Sequence, residues 1–212
     1  MKTITGKEAY KLQQEEDALV VDFRSPSDFA GGYPSGALNI PFAEKNIPAM
    51  ISRVITKIDN PLILVTNSTE EALSAHQQLN DAAITVAGVI KNGFSGWEQD
   101  ELPVSTLDEI NVEELHQAIS KDSNLVVLDV RESIEWETGH VPGAILISLG
   151  ELSTRWKELP NDTLLAVICE AGIRSATAAS LLKINGLLNV TNVPEGSAGY
   201  RQGAFDLEFY TE

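Results

Sequence analysis

Cysteine and histidine are scarce in this sequence, which contains one cysteine, Cys169, and three scattered histidines, His76, His116 and His140. A single cysteine excludes a disulfide within the chain and any metal site built from several thiolates. The histidines show none of the short spacings, such as HExxH, that are typical of zinc sites. We therefore predict that the protein uses no metal and no cofactor.

Basic residues and long apolar runs are also few. In 212 residues, 15 Lys and Arg stand against 31 Asp and Glu, which gives a formal net charge of −16 at pH 7. This charge repels phosphate backbones and anionic lipid surfaces, so we predict neither nucleic-acid nor membrane partners. The first residues lack the apolar region of a signal peptide, and no stretch reaches the roughly 18 apolar residues of a membrane helix. We expect a cytoplasmic protein.

The sequence contains two copies of one unit. LVVDFRSPSDFAGGYPSGALNI at residues 19–40 matches LVVLDVRESIEWETGHVPGAILI at residues 125–147. The matched pairs are Asp22 with Asp129, Arg24 with Arg131, Gly32 with Gly139, Gly36 with Gly143 and Ala37 with Ala144. Agreement at so many positions indicates a duplication. Segment 101–110 carries Pro103 and polar turn-forming residues, and it is predicted to be a linker between domains 1–104 and 105–212.

Both copies show the same order of predicted elements. Apolar runs predict strands at residues 18–23, 62–66 and 84–89 and again at 124–130, 164–169 and 189–193. Amphipathic patterns and capping residues predict helices at residues 4–14, 47–58 and 70–80 and again at 111–119, 151–159 and 174–184. Strands that are apolar on both faces indicate a parallel sheet covered by helices. The predicted fold class is α/β, with two tandem domains that each hold a mostly parallel sheet flanked by helices.

Cys169 lies where a predicted strand ends and a helix follows. In open parallel sheets, ligands bind beyond the carboxyl ends of the strands. A turn containing Gly172 can direct backbone N–H groups at an anion, and the helix that follows adds its positive end. A lone cysteine at a strand end is often a small core residue, but the sequence CEAGIRS supplies a turn glycine, a cation and a capping hydroxyl around this thiol.

The motifs of the second copy resemble those of a rhodanese domain. DVRESIEWETGHVPGA at residues 129–144, then CEAGIRS and then EGSAGY follow the family order DVR....E...GHI.GA, C..G.RS and GG...W. The first copy is similar at residues 22–37 and 92–97, so the resemblance covers nearly the whole chain. It implies a sulfurtransferase that moves a sulfane sulfur from thiosulfate or a low-molecular-weight persulfide to a thiol or another nucleophilic acceptor.

The resemblance also assigns the site residues. Cys169 becomes the nucleophile that carries the sulfur as a persulfide, and the loop that holds the persulfide comprises Glu170, Ala171, Gly172, Ile173, Arg174 and Ser175. We interpret Asp129, Arg131 and His140 of the first motif as structural support rather than as acids or bases, because the first copy keeps Asp22 and Arg24. At the loop the first copy has Thr66, Thr69 and Glu71 in place of Cys169, Gly172 and Arg174, which predicts that it is inactive.

Two further functions compete with this one. Cysteine phosphatases resemble it in placing Cys and Arg on one loop, but their spacing is Cys-x5-Arg, whereas Cys169 and Arg174 give Cys-x4-Arg. A non-catalytic interaction or sulfur-relay module is the other alternative, and it leaves the loop motif unexplained. The order of an inactive and an active copy is also similar to the rhodanese pair fused to metallo-β-lactamase-fold persulfide-oxidising enzymes, which suggests a metallohydrolase or another protein sulfur acceptor as partner. The chain itself has no HxHxDH motif.

Glu170 departs from the basic or small residue that commonly follows the nucleophile in this family. A carboxylate beside the thiolate disfavours the ionised sulfur and repels a doubly charged donor. We expect thiosulfate to be a weaker donor than a persulfide.

Overall fold

The computed structural model describes residues 1–43, 45–55, 59–121 and 124–209. It divides into two units, Met1–Thr106 and Leu107–Glu212. The division falls inside segment 101–110, but this segment is more than a linker. Val104–Ser105 pairs antiparallel with Tyr33–Pro34 in the first unit, and Asp108–Glu109 forms an edge strand of the second unit.

The first unit contains the following elements in chain order: β1 (Thr3–Ile4), α1 (Gly6–Glu15), β2 (Leu19–Asp22), α2 (Pro26–Gly31), β3 (Tyr33–Pro34), β4 (Leu38–Asn39), α3 (Ile47–Val54), β5 (Leu62–Val65), α4 (Thr69–Asp81), β6 (Val86–Ile90), α5 (Gly93–Gln99) and β7 (Val104–Ser105). The main sheet has the strand order β1-β6-β5-β2-β4, and each neighbouring pair is parallel.

The second unit repeats this arrangement with the following elements: β8 (Asp108–Glu109), α6 (Val112–Ser120), β9 (Leu125–Asp129), α7 (Ser133–Trp136), β10 (Ile145–Leu146), α8 (Leu149–Arg155), a 3-10 turn (Trp156–Glu158), β11 (Leu164–Ile168), α9 (Ile173–Ile184), β12 (Val190–Asn192) and α10 (Gly196–Gln202). Its sheet has the order β10-β9-β11-β12-β8, again with parallel neighbours. The predicted α/β fold and the duplication are confirmed.

Burial and capping explain the main elements. All four residues of β5 are buried, as are the last four of β11, because helices cover both sheets. The first helix of each unit begins with the same reciprocal cap, in which Thr5 pairs with Glu8 in α1 and Asn111 pairs with Glu114 in α6. These caps place the helix starts at Gly6 and Val112, two residues and one residue after the predicted starts.

The structure also differs from the predicted elements. The predicted helix at residues 47–58 ends at Val54 in α3, and residues 56–58 lie outside the described residues. The predicted helix at 151–159 starts two residues earlier, at Leu149, and becomes a 3-10 turn after Arg155. The loops after β2 and β9 contain the short helices α2 and α7, which have too few residues to show a hydrophobic period.

A buried ion pair follows the second strand of each unit. In the first unit, the Arg24 guanidinium donates to the Asp22 carboxylate at 2.6 Å and to the Gly32 carbonyl at 2.7 Å. In the second unit, Arg131 donates to Asp129 at 2.7 Å and to the Gly139 carbonyl at 3.1 Å. The pair therefore ties the end of a strand to the loop that follows it, and it does so with or without a cysteine nearby.

We predict that Arg24→Met and Arg131→Met each destabilise their own unit by about 3–5 kcal/mol, because each leaves a buried carboxylate without its partner. Hydrogen-exchange mass spectrometry measures the two units separately, so each variant serves as the control for the other. Unchanged protection of the first unit in Arg24→Met would contradict a structural role for this pair.

Candidate active site around Cys169

Cys169 follows β11, the central strand of its sheet, and begins the Cys169 loop (residues 169–175). Only 1% of the residue is exposed, and its Sγ lies 3.4 Å from the Ser175 Oγ in the first turn of α9. Gly172 precedes α9 in the left-handed conformation, with φ +77°. A Cβ there would lie 2.2 Å from the Pro194 carbonyl oxygen, so only glycine fits this turn.

The start of α10 holds the backbone of the Cys169 loop. The Ser197 N–H donates to the Cys169 carbonyl at 2.7 Å, and the Ala198 N–H donates to the Glu170 carbonyl at 3.1 Å. Gly196 makes this approach possible, because a Cβ there would lie 2.4 Å from the Glu170 carbonyl oxygen. The Cys169 carbonyl shares a peptide unit with the Glu170 N–H, and the Glu170 carbonyl shares one with the Ala171 N–H. In a trans peptide the C=O and N–H point in opposite directions, so these two N–H groups point away from α10.

These N–H groups are open to a ligand. Within the described part of the chain, the backbone N–H groups of residues 170–172 have no protein acceptor. No side chain caps the 12-residue helix α9, and the first N–H groups of a helix have no acceptor within it. The Cys169 sulfur therefore lies at the positive end of a helix, beside donors suited to an anion.

Arg174 does not point its charge freely at the sulfur. Its two Nη atoms donate to the two carboxylate oxygens of Glu135 on α7 at 2.7 Å and 2.6 Å. This bidentate pair lowers the pKa of Glu135 from 4.5 to about 2, and Glu135 in turn raises the pKa of Arg174. Arg174 thus fastens the first turn of α9 to the loop after β9.

Glu170 is held by two arginines. Its Oε1 accepts a short hydrogen bond from the Arg201 Nη2 on α10, and its Oε2 lies 3.7 Å from the Arg131 Nη1. Sequence reasoning missed Arg201 and the contacts of Ser197 and Ala198. An alignment of the two copies could have identified Arg201, because both members of the Glu170 and Arg201 pair differ in the first unit. Asn67 and Glu98 stand at these positions there.

The remaining predicted residues are distributed around this loop. Asp129 and Arg131 form the buried pair at the end of β9 described above, while Ala171 and Ile173 are exposed on the loop. His140 stacks on Trp136 with ring centroids 3.4 Å apart, and its Nδ1 lies 3.2 Å from the Trp136 carbonyl oxygen. Its backbone pairs with Glu208. None of these contacts reaches Cys169, so they hold the loop after α7 in place.

In the corresponding Thr66 loop (residues 66–72) of the first unit, the protein's own groups take up the Thr66 hydroxyl and one backbone donor. The Thr66 hydroxyl donates to the Ser68 carbonyl at 3.0 Å, and the Ser68 hydroxyl caps α4 by accepting from the Glu71 N–H at 3.1 Å. The Glu71 carboxylate accepts the Asn67 N–H at 3.0 Å. A carboxylate of the protein thus occupies one of the donors that an external anion would need.

The described residues contain neither a metal-binding cluster nor a helix able to span a membrane. No group of three or more His, Cys, Asp or Glu side chains is arranged to hold a metal ion there. None of the helices in that part of the chain has the length and apolar content needed to cross a bilayer.

Known proteins are similar to parts of this chain. YrkF of Bacillus subtilis strain 168, named "Putative sulfur carrier protein", is 39% identical over 101 residues, which is 48% of this chain and 55% of YrkF. A protein of Allochromatium vinosum named "Sulfurtransferase" is 28% identical over 90 residues, which is 42% of this chain and 84% of that protein. This chain therefore spans only about half the length of YrkF.

A solved structure and a family model also match this chain. The crystal structure of a rhodanese-related protein from Thermoplasma volcanium is 34% identical, with a TM-score of 0.45, and covers 49% of this chain and 99% of that protein. The model of the rhodanese-like domain matches residues 5–100 and again residues 111–202. These two matches cover most of the sequence, and the chain belongs to the rhodanese family as a tandem of two rhodanese-like domains.

Proposed function

We propose that the protein is a sulfurtransferase in which Cys169 accepts a sulfane sulfur from a small donor and passes it to a thiol. The observation that carries the proposal is the open set of N–H donors around Cys169, at the start of a helix that no side chain caps. The printed name of the Allochromatium vinosum relative supports the same activity. The first unit has the same fold but lacks the thiol, its Glu71 carboxylate takes one of the corresponding donors and Ser68 caps its helix, so the fold alone does not require the arrangement around Cys169.

The chemistry needs only groups that the Cys169 loop supplies. The Cys169 thiolate attacks the outer sulfur of the donor, the Sγ–S bond forms, and the donor S–S bond breaks. The bonding electron pair leaves with sulfite when the donor is thiosulfate, and with a thiolate when the donor is a persulfide. An acceptor thiolate then attacks the outer sulfur of the Cys169 persulfide, takes that sulfur and releases the Cys169 thiolate. The N–H groups stabilise the negative sulfur in both resting forms.

Arg174 supports this chemistry as a positioning residue. Its guanidinium is occupied by both carboxylate oxygens of Glu135, so it orients the start of α9 and does not bind the sulfur directly. The same arrangement argues against a phosphatase, because phosphate recognition on a cysteine loop needs an arginine free to bind the phosphate oxygens. The shorter Cys-x4-Arg spacing points the same way.

Persulfide formation tests the proposal directly. Incubation with thiosulfate or glutathione persulfide is expected to add one sulfur atom to the intact protein, because the Cys169 thiolate takes the outer sulfur of the donor. Cys169→Ser is expected to abolish the gain, and intact mass spectrometry measures it. Absence of the gain with either donor would favour an interaction module, and hydrolysis of an aryl phosphate by the wild type would instead favour a phosphatase.

The first unit provides a matched test of the loop. In a Cys169→Ser background, we expect Thr66→Cys alone to form persulfide at less than about one hundredth of the wild-type rate, since the Glu71 carboxylate occupies a donor of the Thr66 loop. Adding Thr69→Gly and Glu71→Arg is expected to raise that rate. A rate near that of Cys169 for Thr66→Cys alone would show that the loop groups are irrelevant.

The Glu135 and Arg174 pair predicts a pH dependence of stability. Because folding lowers the pKa of Glu135 from 4.5 to about 2, its contribution is complete above pH 4.5 and is lost as the pH falls to about 2. Glu135→Gln is expected to cost about 1 kcal/mol at neutral pH and nothing at pH 2. Urea unfolding across this range measures the difference.

Asp28→Asn is the matched control for that experiment. Asp28 stands at the position of Glu135 in the first unit, where it accepts a hydrogen bond from the Ser25 hydroxyl. A cost for Glu135→Gln that stays constant from pH 7 to pH 2 would refute the role of the ion pair.

A further inference from the structure

Glu170 and Arg201 form an ion pair directly beside the nucleophile. Glu170 is the residue after Cys169, and its carboxylate accepts a hydrogen bond from the Arg201 guanidinium on α10. About two fifths of the Glu170 side chain and one third of the Arg201 side chain are exposed, so the pair faces solvent next to the buried thiol. The two charges therefore lie at the residue directly after the nucleophile.

Each arginine described in contact with the Cys169 loop already has a carboxylate partner. The three pairs are Arg131 with Asp129, Arg174 with Glu135 and Arg201 with Glu170. Arg131 is completely buried, and it uses its remaining donors on the carbonyls of Gly139 and Glu135. Among the described residues, this region therefore offers backbone N–H groups to an anion but no unpaired guanidinium.

We propose that Arg201 is a specificity-determining residue, because its pairing with Glu170 withholds positive charge from the approach to Cys169. This inference rests on the proposed function, and it concerns the class of sulfur donor that the site prefers, a persulfide over thiosulfate. The form of a persulfide that a thiolate attacks is the protonated R–S–SH, whose outer sulfur is uncharged, and the loop N–H groups suffice for it. Thiosulfate brings two negative charges close to the Glu170 carboxylate, and it must either lack a counterion or displace Arg201 from Glu170.

The leaving groups increase the difference between the persulfide and thiosulfate reactions. Attack on R–S–SH breaks one S–S bond and releases R–S⁻, which carries one charge at the departing sulfur. Attack on thiosulfate breaks the corresponding bond and releases sulfite with two charges past the same carboxylate. Since no unpaired guanidinium stabilises the second departure, the pair disfavours both entry of thiosulfate and exit of its product.

The test measures the ratio of the second-order rate constants of persulfide formation with thiosulfate and with glutathione persulfide. Glu170→Gln removes the carboxylate and frees Arg201, so we expect the ratio to rise about tenfold. Arg201→Gln leaves Glu170 without its closest cation, and the ratio is expected to fall. In the double variant the pair is neutral again, so we expect a ratio within about threefold of the wild type.

Control variants separate this effect from net charge and from misfolding. Glu158→Gln removes the same charge from the exposed pair of Arg155 and Glu158, outside the Cys169 loop, and is expected to leave the ratio unchanged. Arg201→Lys keeps the positive charge and is expected to keep the wild-type ratio. If Arg201→Gln does not fold, Glu170→Gln and Arg201→Lys together still test the proposal.

The outcomes are distinct. A ratio that stays at the wild-type value in Glu170→Gln overturns the proposal, as does an equal loss of both rates in that variant, which would indicate packing alone. If the wild type forms no persulfide with either donor, the proposed sulfurtransferase function fails. A rise in the ratio for Glu170→Gln that the Arg201→Gln substitution reverses supports the role of the pair.

Discussion

The Cys169 loop depends on the two hydrogen bonds that α10 donates to the Cys169 and Glu170 carbonyls. They turn the N–H groups of the same two peptide units, those of Glu170 and Ala171, to the opposite side. No group in the described part of the chain accepts a hydrogen bond from them there. Gly196 and Gly172 are required for the same reason, since a Cβ at either position would collide with a carbonyl oxygen. The position of one short helix thus decides whether the loop presents donors or acceptors to a ligand.

The two units separate what the fold needs from what the chemistry needs. Both keep the buried aspartate and arginine pair, the strand order and the capped first helix. They differ at the loop, where the first unit has Glu71 and Glu98 at the positions of Arg174 and Arg201. Two cations of the second unit are therefore replaced by carboxylates in the first, which makes the surroundings of the loop more negative on an otherwise similar scaffold.

The sequence predicts the fold class and the position of Cys169 well, because apolar runs, caps and the duplication are local or repeated signals. It does not predict the side-chain partners. Glu135 and Arg174 are 39 residues apart, and Arg201 and Glu170 are 31 residues apart, so these pairs depend on how strands and helices pack. The sequence places segment 101–110 at the boundary between the units but does not predict its two-residue strands β7 and β8, because they gain their hydrogen bonds only from distant partners.

In the proposed transfer cycle, the near-complete burial of Cys169 makes sulfur loading and sulfur release spatially unequal. A bound sulfur extends the side chain by about 2 Å, the length of an S–S bond. The transferred atom therefore lies farther out than the thiol from which it hangs, which is only 1% exposed. Formation of the persulfide requires a donor narrow enough to bring its outer sulfur to the buried thiol. Transfer to the acceptor takes place nearer the surface. A wider range of molecules, including another protein, can collect the sulfur than can supply it.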